Sequence, residues 1–214
     1  VDGDLITPGV QPVTVVTALD GSYSFSGLLP GTYGVLETQP SGYNSVSDKD
    51  GGSPDEIRPI TVTAGTSSTG NNFIEEQPGS ISGTVFADTD GDNDGDVPLQ
   101  NVVLRLLDSL GNPVLDGLGQ PITTTTDVNG NYSFTGVTPG DYCVVEDQPS
   151  NYASVSDTDG PNDNVIGNVT PITVTAGQNN GGNDFIEIEL GAIAGTVRKD
   201  SDANGSGDAP LAGV

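Results

Sequence analysis

Apolar residues recur at every second position over short stretches of this chain. Ile81, Gly83 and Val85 fall on one face of a first strand. Val102, Leu104 and Leu106 alternate with Val103, Arg105 and Leu107, the pattern of a half-buried strand. Ile122 to Thr126 and Asn131 to Gly136 flank Asn129-Gly130, a dipeptide suited to a tight turn that needs positive φ. Tyr132 and Phe134 are expected to point inward with Val137, and Pro139-Gly140 turns the chain into Tyr142 to Glu146. Pro171 to Thr175 and Phe185 to Glu189 supply two more strands. About seven short strands in about 112 residues predict an all-β fold, an immunoglobulin-like or prealbumin-like sandwich.

The pattern repeats in tandem, and the repeat sets the organisation. Gly79-Ser-Ile-Ser-Gly-Thr-Val85 returns as Gly191-Ala-Ile-Ala-Gly-Thr-Val197, and Pro98-Leu99 as Pro210-Leu211. Gly21-Ser-Tyr23-Ser-Phe25 matches Gly130-Asn-Tyr132-Ser-Phe134, and Pro59 to Gly65 matches Pro171 to Gly177. Residues 79–190 make a whole sandwich repeat. Residues 1–78 lack the first strands, and 191–214 hold the opening strands and acidic loop of a further repeat. A part-repeat exposes strand edges and a bare apolar face. Two expectations follow: the chain is a window on a longer repeat protein, or residues 191–214 complete the amino-terminal repeat of another copy, head to tail.

The clearest chemistry lies in the acidic loops. Asp88, Asp90, Asp92, Asp94 and Asp96 recur at every second position with glycines between them, and Asp200, Asp202, Asn204, Ser206 and Asp208 repeat the series. Counted as an EF-hand-like loop, these oxygens occupy positions 1, 3, 5, 7 and 9, the spacing that converges on a hard cation such as Ca²⁺. Leu99 stands at position 12, where a bidentate glutamate is expected. A second acidic cluster follows each tyrosine-rich run: Asp157, Asp159 and Asp163 in one repeat, Asp48, Asp50 and Asp55 in the other. It reads either as a second calcium site or as Asx-type turns in which the aspartates bond their own backbone. Asn72 and Asp184 offer a weaker contribution.

Composition narrows the function. A net charge of −25, with five Lys and Arg, excludes phosphate-driven nucleic-acid binding and predicts self-repulsion unless cations are bound. With 31 Gly and 15 Pro, strand and turn residues dominate over helix formers. The alternating segments are too regular for a disordered acidic chain. No apolar run reaches the roughly 18 residues of a membrane span, and no signal segment is present, so targeting information is expected outside this window. With no histidine and one cysteine, Cys143, neither a catalytic triad nor a transition-metal site is expected. Glu146 and Asp147, neighbours on a strand, point to opposite faces and cannot share a substrate. Cys143 is expected to be a small buried hydrophobe.

The run Gly-x-Tyr-x-Phe-x-x-Val/Leu-x-Pro-Gly-x-Tyr-x-Val-x-Glu-x-x-Pro-x-x-Tyr, at Gly130 to Tyr152 and Gly21 to Tyr43, resembles the B-type repeats of collagen adhesins and of serine-aspartate-repeat surface adhesins. The acidic loop favours the second group. That resemblance implies calcium-binding, rigid stalk modules outside the cell or on its surface, whose partners are adjacent repeats or identical subunits of a fibre. Many collagen-adhesin repeats also carry a Lys–Asn or Lys–Asp isopeptide bond promoted by the glutamate corresponding to Glu37 and Glu146. Residues 79–190 contain no lysine, so the complete repeat cannot form it, and Lys199 serves only the third segment. Glu146 is then structural or a cation ligand. The rival to a stalk module is a sandwich that binds a carbohydrate or a host protein, for which Tyr43 and Tyr152 are the aromatics left over.

Overall fold

The computed structural model describes residues 13–160 and 162–214. Residues 1–12 of the first repeat, and Pro161 within the second acidic cluster, lie outside the described residues. In the first repeat, β1 (Gly31–Leu36) pairs antiparallel with β3 (Glu56–Val62), and β2 (Asn44–Asp48) with β4 (Phe73–Glu76). The complete repeat opens with β5 (Gly79–Asp88), β6 (Val97–Pro98), β7 (Val103–Asp108) and β8 (Thr123–Thr125). It continues with β9 (Asn131–Val137), β10 (Gly140–Glu146), β11 (Tyr152–Asp157) and β12 (Val165–Ile166), and ends with β13 (Ile172–Val174), β14 (Asn179–Asn180) and β15 (Phe185–Glu189). A last pair, β16 (Arg198–Lys199) with β17 (Ala209–Pro210), follows.

The strands of the complete repeat form two sheets. One runs β11-β15-β5-β14, with β6 and β9 also bonded to β5; the other runs β12-β10-β7-β8, with β13 beside β10. Strand β5 is the hub: it lies antiparallel to β9 and parallel to β15, pairing Val85 with Phe185. Inward residues of both sheets meet in one core, with Ile81, Val85, Tyr132, Phe134 and Phe185 on one side and Leu104, Leu106, Val144, Ile172 and Val174 on the other. The alternation in β7 and β9 puts these side chains inside, as expected from period two.

The turn at Asn129-Gly130 takes positive φ at Gly130 alone (73°). Asp127 closes it, its Oδ1 accepting the amides of Asn129 at 2.8 Å and Asn131 at 2.9 Å. The flanking strands belong to different sheets: β8 bonds to β7, and β9 to β5. The turn therefore carries the chain across the sandwich. Strand β11 was not evident from the sequence, because Tyr152-Ala-Ser-Val-Ser-Asp157 offers small residues where apolar ones would mark the inner face.

The first repeat reproduces half of this plan. Tyr23 and Phe25 pack edge to face at 6.0 Å and 72°, the same geometry as Tyr132 and Phe134, and Phe73 joins them as Phe185 joins the second pair. Among the described residues no strand equivalent to β5 lies beside them. A groove of about 1060 Å³ occupies that place, lined by Tyr23, Phe25, Val35, Ile60 and Phe73. No helix among the described residues is long and apolar enough to cross a membrane, which says nothing about a membrane β-barrel.

Candidate metal centre

The first acidic loop begins where β5 ends, so its leading carboxylate is anchored by the sheet. Asp88 is 1% exposed. Its Oδ1 accepts the amides of Asp90 at 3.1 Å and Gly91 at 2.7 Å, and its Oδ2 accepts that of Asn93 at 2.9 Å. These donors, the Gly91 amide foremost, hold the Asp88 carboxyl below the usual range. Asp96 closes the loop by accepting the Thr89 amide at 2.7 Å and the Thr89 hydroxyl at 2.6 Å. Asp90, by contrast, is raised, first by the like charge of Asp92. Carboxylate oxygens of Asp88, Asp90 and Asp96 lie within 4.8 Å of one another. Asp92 and Asp94 are not members of that group; Asp92 instead accepts the Asp94 amide at 2.9 Å.

The third segment builds the same object from a different sequence. Asp200 accepts the Gly205 amide at 2.8 Å, Asp208 the Ser201 amide at 2.6 Å, and Asn204 the Ser206 amide at 2.8 Å. Asp200, Asp202 and Asp208 again fall within 4.8 Å of one another. Pairing Arg198 with Pro210, and Lys199 with Ala209, repeats the pairing of Phe86 with Pro98 and Ala87 with Val97 at the loop base. Leu99, at position 12, packs toward the core and donates its amide to the Val85 carbonyl. It offers no side-chain ligand.

The second acidic cluster is arranged differently. Asp157 accepts the Gly160 amide, Asp159 the Gly167 amide at 2.9 Å, and Asp163 the Val165 amide and the Asn168 side chain. In the first repeat Asp50 accepts the Arg58 amide at 2.6 Å, matching Asp159, while Asp48 accepts the amides of Asp50 and Gly51 and Asp55 accepts the Ser45 hydroxyl. One oxygen each of Asp157, Asp159 and Asp48 is buried without a partner. Burial, then the Asp159 carboxyl, raises Asp157. Asp184 is taken up structurally, its Oδ1 accepting the Thr84 amide at 2.7 Å, and Asn72 is exposed. Tyr43 is exposed, whereas Tyr152 is half-buried in a cleft of about 410 Å³ beside Asp88 and Ile188. Cys143 is buried and free, and burial raises its thiol.

A family model described as the SdrD B-like domain matches residues 79–187. The chain belongs to that family. This SdrD B-like chain is 34% identical over 176 residues to Colossin-A of Dictyostelium discoideum, a match covering 77% of the chain and 1% of the relative. It is 29% identical over 176 residues to serine-aspartate repeat-containing protein F of Staphylococcus epidermidis, covering 78% of the chain and 10% of the relative. The chain thus spans a small part of the relatives it matches. Among solved structures, the minor pilin of Streptococcus agalactiae is similar at 17% identity and a TM-score of 0.39, over 88% of this chain and 74% of the pilin.

The sequence singles out Glu146 as structural or a cation ligand, but Gln148 and Glu187 went unread. Glu187 is 0% exposed and Glu146 2% exposed, and both face the interior. The Gln148 side-chain amide donates to Glu187 Oε2, and Asn164 Nδ2 donates to Gln148 Oε1 at 2.9 Å. Burial, then Glu187, pushes Glu146 up to about 9. The available signal was alternation: Glu187 lies two residues past the core aromatic Phe185, hence on the same face.

Proposed function

We propose that this chain is a non-catalytic, calcium-stiffened stretch of an extracellular surface stalk or filament. Residues 79–190 form the complete sandwich repeat, 1–78 the repeat lacking its first strands, and 191–214 the opening of the next. The observation that carries this reading is the duplicate loop. Two segments of different sequence gather Asp88, Asp90 and Asp96, and Asp200, Asp202 and Asp208, with the same carboxylate-to-amide bonds. Oxygen-only donors on a tight loop suit a hard cation, and Ca²⁺ fits them best. Membership of the SdrD B-like family and the similarity to serine-aspartate repeat-containing proteins support a place outside the cell. The partners are then adjacent repeats or identical subunits, and the second acidic cluster is a further Ca²⁺ site. A cation that binds only the folded loop adds about 2.7 kcal/mol at a hundredfold excess over Kd.

Thermal melting of the wild type and of an Asp88→Ala/Asp90→Ala variant, in Ca²⁺ and in EGTA, tests the site. The variant is expected to melt lower than the wild type in Ca²⁺ and close to it in EGTA. Equal losses in both conditions would remove calcium from the loop's role. A second reading, strand donation between copies, is favoured by the groove beside Phe25 and Phe73, which matches the place β5 fills beside Phe134 and Phe185. Residues 191–197 repeat the sequence of that missing strand, and Ile193 and Val197 are exposed.

A further inference from the structure

Asparagine followed by glycine occurs three times in this chain, at Asn129-Gly130, Asn180-Gly181 and Asn204-Gly205. Such a pair is chemically unstable, because glycine has no side chain to keep its amide nitrogen away from the asparagine carboxamide. The nitrogen attacks Cγ. An N–Cγ bond forms, the Cγ–Nδ2 bond breaks, and the amide hydrogen leaves with Nδ2 as ammonia. Water then opens the cyclic imide at either of its carbonyls, giving aspartate or isoaspartate. The sum exchanges ammonia for water and needs no oxidant or reductant. The fold decides which of the three pairs can react.

The turn at Asn129 is closed to this step. Gly130 is buried, and a Cβ built on it would sit 2.5 Å from the Val85 carbonyl oxygen and 3.1 Å from Pro98 Cβ. Its amide donates to the Asp127 carbonyl at 3.0 Å, and its carbonyl accepts the Val85 amide at 2.9 Å. The nitrogen cannot swing toward the Asn129 carboxamide without parting β5 from the turn. Asn180 lies in β14, paired with Ile81 of β5. Its carboxamide is held at both ends: Nδ2 donates to the Thr173 carbonyl at 3.0 Å, and Oδ1 accepts Asn183 Nδ2 at 3.3 Å. Freeing either site means opening the sandwich.

Asn204 has no such cover. Asn204 and Gly205 are both exposed, and the loop that carries them is closed at its base by the two-residue strands β16 and β17. Within the loop, Gly205 donates its amide to Asp200 Oδ2 at 2.8 Å. Asn204 Nδ2 donates to Asp202 Oδ2 at 2.9 Å, and Asn204 Oδ1 accepts the Ser206 amide at 2.8 Å. These bonds occupy the attacking nitrogen and turn the carboxamide toward Asp202 and Ser206. They are exposed contacts in a short loop, and they open at far lower cost than a core strand.

We propose that Asn204 is a site of spontaneous conversion to aspartate and isoaspartate, restrained by the bond from the Gly205 amide to Asp200. The aspartate product carries the side chain that the first loop already has at the equivalent position, Asp92. The isoaspartate product routes the main chain through the side-chain carbon and lengthens it, which takes Gly205 out of register with Asp200. Either product adds a negative charge to the loop at 200–208 and leaves the sandwich untouched.

The full chain of 214 residues is aged in mildly alkaline buffer, with EGTA throughout so that no cation contributes. Peptide mapping by mass spectrometry reads ammonia lost and water gained at each asparagine. In the folded chain Asn204 is expected to convert while Asn129 and Asn180 stay intact. In urea, with the sandwich unfolded, the three are expected to convert at comparable rates. Asp200→Ala is expected to speed conversion of Asn204 in the folded chain by roughly three- to tenfold, the worth of an exposed hydrogen bond to a carboxylate. The proposal fails if Asn129 or Asn180 converts as fast as Asn204 in the folded chain, or if Asn204 keeps the same lead in urea. An unchanged Asn204 rate in Asp200→Ala would overturn the restraint.

Discussion

Gly83 lies where β5 passes under the backbone of Asn183, and a Cβ built on it would sit 1.9 Å from the Asn183 carbonyl oxygen. That oxygen also accepts the Tyr132 hydroxyl at 2.6 Å, and Asn183 Nδ2 donates to the Ser82 carbonyl at 3.0 Å. The crossing ties β5 to the segment before β15, so neither backbone can retreat alone. Gly83→Ala is expected to cost about 1–3 kcal/mol or more, the range for forced overpacking, measured by urea unfolding in saturating Ca²⁺. A loss well under 1 kcal/mol would mean that the crossing relaxes freely. In the sequence Gly83 reads only as a member of a strand face. Nothing local says that a chain segment 100 residues later needs the space its missing side chain leaves.

The loop from Asp88 to Asp96 is an element whose backbone donors are already satisfied by its own carboxylates, through the amides of Thr89, Gly91 and Asn93. Those bonds shape the loop, but they leave like charges packed together, as the raised Asp90 records. A cation would offset that repulsion, and its removal is expected to loosen the loop before the sandwich. Amide exchange of Thr89, Gly91 and Asn93 should accelerate on chelation while Leu106 and Val144 in the core stay protected. Unchanged loop exchange would place the cation elsewhere. The loop's oxygen spacing was legible because its carboxylates are nearly consecutive. The interior acids were only partly so: Glu146 stood out as structural or a cation ligand, but Gln148 and Glu187 come from other elements and in sequence look like ordinary surface residues.

Among the described residues, one sandwich is flanked by segments that repeat parts of it. The groove by Phe25 and Phe73, and the exposed strand-like residues Ile193 and Val197, are complementary in kind. If residues 191–199 of one copy enter that groove in another, the contact is head to tail and does not close on itself. Negative-stain imaging in millimolar Ca²⁺ is then expected to show fibres that soften or shorten in EGTA. Single short particles in both conditions would remove strand donation and leave the stalk reading intact. The net charge of −25 bears on this scale too, because a bound cation would lower the repulsion between neighbouring copies.

The sequence by itself determined the strand content, the internal self-similarity and the two acidic loops, because each rests on a short-range signal: alternation of period two, repetition of residues, or carboxylates two residues apart. Tertiary structure alone decided that β5 runs parallel to β15, that the Asn129-Gly130 turn crosses between sheets, and that Glu146 and Glu187 are buried. Strand pairing depends on which edges the whole chain leaves available, and the state of a carboxyl depends on what surrounds it. A glutamate in a strand carries the same letter whether it faces water or, as at Glu187, is wholly buried.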